Sequence, residues 1–172
     1  SRAKAKHNGS FVWGDNSNSD VVSTADNEIT FRAAGGVRFF SNSFSTVGTQ
    51  LKPGANSWET ISDRNRKKNI LPLDGRIVLD KLAKVPISTW HYDFESEDAT
   101  PHIGPMAQDF KAAFYPGRDD KGITTHEFDG VVLAAIQGLN QKLEEKNAEI
   151  GALNENVANL RALVQQLIAK GN

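Results

Sequence analysis

The hydrophobic pattern is most regular in the C-terminal region, residues 131–172. With Ile136 at position a of a heptad, nine of the ten a and d positions are apolar, which is typical of a coiled coil. The a series is Ile136, Leu143, Ile150, Val157 and Val164, and the d series is Leu139, Lys146, Leu153, Leu160 and Leu167. Interspersed Gly and Asn residues lower intrinsic helicity, so association of copies must stabilise this helix.

The number of associating helices stays open at this point. Ile or Val at a with Leu at d favours a parallel dimer. Leu163 at g and Ile168 at e widen the apolar stripe, which suits three helices better. A single amphipathic helix packed on its own domain is the third interpretation. Lys146, the one polar d residue, is either a register device inside the bundle or a side chain that reaches outward.

Residues 1–61 are rich in Ser, Asn, Gly and Thr, and they hold short runs of strand-forming residues. Within residues 28–33, Ile29, Phe31 and Ala33 alternate with polar residues, which predicts a strand with one buried face. The region has few apolar positions from which to build a core. We therefore expect its strands to pack against other copies or against an upstream domain.

Residues 62–130 predict a small α+β unit. Asp74 is a candidate N-cap for a helix from Gly75 to about Lys84. A strand is predicted over 87–94, where the aromatic residues share one face, and a helix over 105–115, where apolar residues recur at helical spacing. The expected fold class is α+β, with a β-rich segment before this unit and a coiled coil after it.

Composition narrows the classes of function. The chain has 172 residues and a hydrophobic content of 38%, which is lean for one compact core and favours an elongated or oligomeric protein. Twenty Lys and Arg against 21 Asp and Glu leave a net charge of −1, so we expect neither nucleic acid nor a membrane surface as partner. Its apolar runs are far shorter than the ~20 residues that cross a bilayer. Because the chain starts at Ser1 and its single Met is Met106, we expect it to be a piece of something longer.

Cysteine is absent, which excludes a disulfide framework, a thiolate zinc site and a Cys nucleophile. The four histidines, His7, His91, His102 and His126, include no closely spaced pair, so no metal site is expected. No cofactor is expected either. For His102, a structural or interface role is favoured over proton transfer.

One polar segment holds a candidate nucleophile. A Ser hydroxyl needs a base to remove its proton, and the nearest bases to Ser62 are Lys67 and Lys68. Such a lysine must be neutral, a form that burial or the neighbouring Arg64 and Arg66 would favour. Spacing alone is weak evidence, because a basic run is usually a solvated face.

Two motifs resemble a known family. The first is Ser62-Asp63-Arg64-Asn65-Arg66-Lys67-Lys68-Asn69-Ile70, and the second is His102-Ile103-Gly104-Pro105-Met106-Ala107-Gln108-Asp109-Phe110. In this order, with a heptad tail behind them, they resemble the C-terminal intramolecular chaperone domain of phage tailspikes and tail fibres, the peptidase S74 family. The resemblance covers about residues 60–172. The β-rich lead-in is similar to stalk segments that precede this domain.

The resemblance implies an elongated homotrimer that brings an upstream β-structural fibre of the same chain into register and then releases itself. It implies Ser62 as nucleophile, Lys67 as base and Ile61–Ser62 as the bond cut, with Lys68 as the competing base. The implied domains are a stalk end at 1–61, a chaperone core at 62–130 and a trimerisation tail at 131–172. The implied location is a virion tail, or the host cytoplasm during assembly.

Two alternatives from other classes remain. In the first, Ser62 is inert and the chain is a trimerisation and structural module that is never cut. In the second, the chain is a receptor-binding fibre tip whose loops at 95–101 and 115–123 contact a host molecule. The shortage of aromatic residues in those loops ranks the second alternative last.

Overall fold

The computed structural model of the chain describes residues 2–115 and 119–170. It divides into two compact units, Ser1–Ile70 and Leu71–Asn172. Short strands make up the first unit, whereas the second combines helices with a two-stranded sheet and ends in a long helix. This mixed composition agrees with the predicted α+β class. The division into three domains at 61 and 130 stays a prediction.

Over residues 2–70, the first unit contains seven short strands and one 3₁₀ turn, Arg64–Arg66. The strands are β1 (Ala3–Lys4), β2 (Phe11–Gly14), β3 (Val21–Val22), β4 (Ile29–Arg32), β5 (Val37–Phe40), β6 (Gly48–Leu51) and β7 (Glu59–Thr60). Strand β1 pairs with β3 and β2 pairs with β4, both in parallel. Strands β5, β6 and β7 form an antiparallel meander.

The predicted alternation in β4 is present, but its apolar face is uncovered in a single copy. Ile29 is 67% exposed and Phe31 57%, while Thr30 and Arg32 lie half-buried on the other face. That inner face has little room, because a Cβ on the buried Gly14 would lie 2.8 Å from the Val21 side chain. The large side chains therefore remain on the outside, where only another molecule or another segment can cover them.

The second unit contains helix α1 (Gly75–Leu82), strands β8 (Ser88–Trp90) and β9 (His102–Gly104), and helices α2 (Ala107–Phe114) and α3 (Thr125–Lys170). The predicted N-cap is confirmed, because the Asp74 side chain accepts a hydrogen bond from the Arg76 amide at 2.9 Å. Over residues 2–115 and 119–170, none of the helices combines the length and the apolar character that crossing a bilayer requires.

Two predicted elements differ from those observed by more than two residues at one end. Strand β8 ends at Trp90, because the next residues form a turn in which the Glu95 amide donates to Tyr92 O at 3.0 Å and the Tyr92 amide donates to a Glu95 carboxylate oxygen at 2.7 Å. The strand predicted over 87–94 is therefore too long. Helix α3 starts at Thr125, ahead of residue 131, where the tail was predicted to begin.

The core of the second unit lies between the three helices. Phe110 of α2 is fully buried, and it packs with Val78 of α1 and with the first turns of α3. The buried α3 residues of this cluster are Val131, Ala134 and Ala135. Lys111 is also buried and donates to Glu127 at 3.0 Å, so its charge has a partner at the edge of the core.

Helices α1 and α3 touch through two glycines. A Cβ on Gly138 would lie 2.1 Å from Gly75 O, and a Cβ on Gly75 would lie 2.5 Å from Ala134 O. Two ion pairs flank this contact, Arg76 with Glu145 at 3.1 Å and Lys142 with Asp80 at 2.7 Å. The crossing brings the two backbones together more closely than any side chain would permit.

We expect Gly138→Ala to lower the free energy of unfolding by roughly 1–3 kcal/mol, because the added methyl group forces α1 and α3 apart. Thermal unfolding followed by circular dichroism measures this change. Gly130→Ala is the matched control, since Gly130 lies on the same helix with open space around its missing Cβ. There alanine should stabilise by about 0.5–1 kcal/mol through helix propensity alone. Equal effects of the two substitutions would contradict the role of the crossing.

Candidate functional site

Ser62 follows the last strand of the meander, and the residue before it is anchored to that sheet. The Ile61 amide donates to Gly48 O at 3.0 Å, which continues the pairing of β6 with β7 by one step. Thr49 Oγ1 donates to Glu59 O at 3.0 Å on the same pair of strands. Position 48 accepts only glycine, because a Cβ there would lie 1.9 Å from Phe39 O. The peptide bond between Ile61 and Ser62 therefore lies directly after a residue that is fixed at the edge of the sheet.

A single turn, capped by a side chain, brings the following residues back towards Ser62. The Asp63 side chain accepts from the Asn65 amide at 2.9 Å and starts the 3₁₀ turn, as expected of an Asx turn. The Lys67 amide then donates to Arg64 O at 3.1 Å and closes the turn. As a result, Lys67 Nζ donates a hydrogen bond to Ser62 Oγ at 2.5 Å.

The structure therefore brings two of the predicted site residues into contact. Lys67 itself has extended backbone, with φ −111° and ψ 147°, at the end of the 3₁₀ turn. The contact fits Lys67 as the partner of Ser62. The catalytic roles of Ser62, Lys67 and the Ile61–Ser62 bond stay predictions.

The environment of this pair is aqueous in a single copy. Ser62 and Lys67 are both exposed, and Ile61 is half-buried. In this contact the lysine is the donor, whereas general-base catalysis needs a neutral amine that accepts the hydroxyl proton. A single chain thus supplies the proximity of the two groups, and a base role for Lys67 would in addition require desolvation of its amine.

Sequence reasoning overlooked the contribution of two residues to this geometry. Asp63 was given no role, although an Asp that begins a polar turn is a signal for side-chain capping. Gly48 carries no such signal, because its contact with Phe39 follows from the register of β5 with β6. Within the described ranges, no group of three or more His, Asp or Glu side chains is gathered closely enough to hold a metal ion.

The second motif builds the core and a small aromatic cluster. His102 stacks on Trp90 with ring centroids 4.5 Å apart, and its Nε2 lies 3.0 Å from a Glu95 carboxylate oxygen. The hydrogen bonds from His102 and from the Tyr92 amide hold the pKa of Glu95 below its ordinary value. These contacts agree with the structural role that was favoured for His102. Asp109 lies in the first turn of α2, where an acidic residue is favourable.

Both motifs fall within one match to a known family. Residues 62–117 match the Peptidase S74 family, described as chaperone of endosialidase. The S74 match begins at Ser62 and contains Lys67 and the whole His102–Phe110 motif, which confirms the resemblance for this part of the chain. Strands β1 to β7 and helix α3 lie outside it. A comparison with curated proteins and another with solved structures gave no match.

We expect acid to weaken the S74 region through Glu95. Because the folded-state pKa of Glu95 is lowered from 4.5, its carboxylate stabilises the fold above that pH, and this contribution is lost as the pH falls through the lowered pKa. Glu95→Gln should remove the contribution, so the thermal midpoint of the variant should fall less between pH 6 and pH 3. Glu97→Gln, in the same loop and outside the contact with His102, is the control. A parallel decline in Glu95→Gln and the parent would contradict this role.

Proposed function

We propose that this chain is the C-terminal intramolecular chaperone of a phage tail fibre or spike. Three copies associate through α3, hold the β-structural segments in register and then separate from them by cleavage of the Ile61–Ser62 bond. The S74 match supports the chaperone role and a phage-tail context. The contact between Lys67 Nζ and Ser62 Oγ, at the first residues of that match, is the observation that carries the cleavage step.

The exposed seam of α3 supports association. Every residue from 143 to 170 is exposed in a single copy, including all the apolar a and d residues of that stretch. Complete burial of a Leu, Ile or Val contributes about 1.5–3 kcal/mol, so covering nine half-exposed side chains contributes on the order of 10 kcal/mol per chain. A helix whose apolar stripe has no intramolecular partner needs an intermolecular one.

Association would leave the packing of α1 undisturbed. The buried α3 residues that contact the core, Val131, Ala134, Ala135 and Gly138, share one side of the helix. At about 100° per residue, the first seam residues, Ile136, Leu139 and Leu143, lie about 120° around the axis from that side. Core and seam therefore use different faces of one continuous helix.

Three copies fit the pattern better than two. Leu163 and Ile168 flank the seam near the C-terminus, and both are more than half exposed. The outer face of β2 and β4 adds a second uncovered apolar surface, formed by Phe11, Trp13, Ile29 and Phe31. A parallel trimer offers a way to cover both surfaces with copies of the same chain.

The proposed cleavage is a single acyl transfer followed by hydrolysis. Neutral Lys67 accepts the proton of Ser62 Oγ as this oxygen adds to the Ile61 carbonyl carbon. The proton passes to the Ser62 nitrogen as the C–N bond breaks, which leaves an ester between Ile61 and Ser62 Oγ. Water then hydrolyses the ester to an Ile61 carboxylate and restores the Ser62 hydroxyl. Because both groups are exposed in one copy, we propose that assembly supplies the desolvation.

One observation favours the alternative of a module that is never cut. Both members of the proposed dyad are exposed, so the pair also fits an ordinary surface hydrogen bond. In that case the chain acts only in trimerisation and folding.

Cleavage is tested by intact-mass measurement of the purified chain and its variants. We expect the parent to yield a species that begins at Ser62, and Ser62→Ala and Lys67→Met to reduce its rate of formation at least a hundredfold. Lys68→Met is the matched control and should leave the rate within about threefold of the parent. Loss of cleavage with Lys68→Met instead would reassign the base, and an uncut parent would favour the non-cleaving module.

Association is tested by sedimentation velocity at micromolar concentration. The measurement uses Ser62→Ala as the parent, because a chain cut at Ile61–Ser62 no longer has its full mass, and we expect about three times the 18.8 kDa of the chain. Leu160→Asp places a carboxylate at a seam position and should weaken association by roughly a hundredfold or more. Ala158→Asp introduces the same charge at an outward-facing b position and should keep the parent mass. A parent of one or two chain masses would contradict the trimer.

A further inference from the structure

The backbone of the first unit repeats itself after 18 residues. Ala3 of β1 pairs in parallel with Val21 of β3, and Phe11 of β2 pairs with Ile29 of β4, so each partner lies 18 positions further along the chain. The two stretches 3–14 and 21–32 share the same order of strand, turn and strand. Their side chains share little beyond the apolar residues at 11, 13, 29 and 31, which hides the repeat in the sequence.

The turns within the two stretches are also equivalent. Gly9 has φ +67° and Asn27, 18 positions on, has φ +58°, both in the left-handed region that favours Gly and Asn. The Asn27 amide donates to Asn8 O at 2.8 Å, and the Asn8 amide donates to the Asp26 carboxylate at 3.0 Å. Strands and turns are thus stacked in register, and the two stretches are successive coils of a parallel β-solenoid.

Strand β2 of the first coil has one edge without a neighbouring strand among the described residues. The Phe11 amide donates to Glu28 O at 2.8 Å and the Asp15 amide to Arg32 O at 3.0 Å. Since alternate residues of a parallel strand bond to the same neighbour, the amides of Val12 and Gly14 point to the opposite edge. Among the described residues, β2 pairs with β4 alone. An edge with unpaired backbone groups is a template for another strand.

The repeat stops on the other side of the second coil. After Arg32 the chain turns, with the Gly36 amide donating to Ala33 O at 2.8 Å, and it continues as the antiparallel meander β5–β7. The meander ends the 18-residue period in the C-terminal direction. A further coil can therefore be added to the solenoid only at the first coil.

A second copy of this chain does not fit that edge in the proposed assembly. Two identical edges that meet face to face are related by a twofold axis, and their strands run antiparallel. A parallel trimer has no such axis. A coil that precedes β1 in the same polypeptide, by contrast, arrives with parallel strands and at high effective concentration.

We propose that the free edge of β2, in the first coil, is the docking site for a preceding coil of the same 18-residue period. The upstream segment served by this chaperone is then a parallel β-solenoid. The identification of the occupant as an upstream segment of the same chain rests on the proposed function. The stacked turn of such a coil needs a residue that tolerates positive φ, and Gly or Asn meets that need.

The test adds one coil to the chain. A second copy of residues 3–20 is inserted directly before Ala3, in a Ser62→Ala background that keeps the strands attached whatever the fate of the Ile61–Ser62 bond. The matched control carries the same 18 residues in shuffled order. Amide hydrogen exchange at Val12 and Gly14 is measured in both extended chains and in Ser62→Ala without an insert.

We expect the in-register insert to slow exchange at Val12 and Gly14 at least tenfold relative to the shuffled insert, and to raise the thermal midpoint of the β-rich unit. Equal exchange in the two extended chains would overturn the proposal. Slow exchange already present without an insert would also overturn it, because the edge would then be covered by something else. An in-register insert that folds less well than the shuffled insert would also overturn the proposal.

The coil test is independent of the tests of function. Chain mass and cleavage are measured on chains without an insert, so a monomeric or an uncut chain leaves the exchange result intact. A failed coil test, conversely, leaves trimerisation and cleavage standing and removes only the identity of the upstream fold.

Discussion

The C-terminal half of α3 is apolar along one stripe and yet in contact with water along its whole length. From residue 143 to 170 no side chain is buried, although the stripe repeats Leu, Ile and Val at a and d positions. A helix of this composition, with Gly and Asn among its residues, gains little from intrinsic propensity. Its stability therefore depends on the surface that covers the stripe, and the proposed chaperone role and cleavage depend on that same association.

One helix packs on the core at its start and carries the proposed seam beyond it, so the proposed assembly is linked to folding of the core. The first turns of α3 bury Val131, Ala134 and Ala135 against Phe110, while the seam begins on a different face at Ile136. The contact between Gly75 and Gly138 holds α1 on its own side. In the proposed trimer, association at the seam would extend a helix that the core has already nucleated, which lowers the entropic cost of the first contact. Three chain ends held together would then raise the effective concentration of the strands that must find one another.

Local signals in the sequence predicted much of this fold, and non-local contacts account for what they missed. Asp74 was found as an N-cap, and helix α2 was found from its apolar spacing, because both depend on neighbouring residues. The strand at 87–94 was predicted too long, because the Glu95 side chain closes a turn that strand propensity does not register. The 18-residue repeat was missed entirely, since two coils with different side chains share only backbone conformation and register.

In the candidate site, too, local contacts could be predicted from the sequence and non-local contacts could not. Ser62 and Lys67 were chosen from a short motif, and the capped turn at Asp63 places them together within six consecutive residues. No sequence pattern could show that Gly48 must lack a side chain for β5 and β6 to pair as they do.

The position of the proposed cut fits the hydrogen bonds on either side of it. Ile61 contributes a bond to the meander through Gly48 O. The bonds described for residues 62–67 are local, joining Asp63 to Asn65, Lys67 to Arg64 and Lys67 to Ser62. Breaking the chain between Ile61 and Ser62 would therefore leave the pairing of β5, β6 and β7 complete. The strands would keep their terminal sheet and lose only the device that brought them together, so they could no longer unfold and reassemble by the route that formed them.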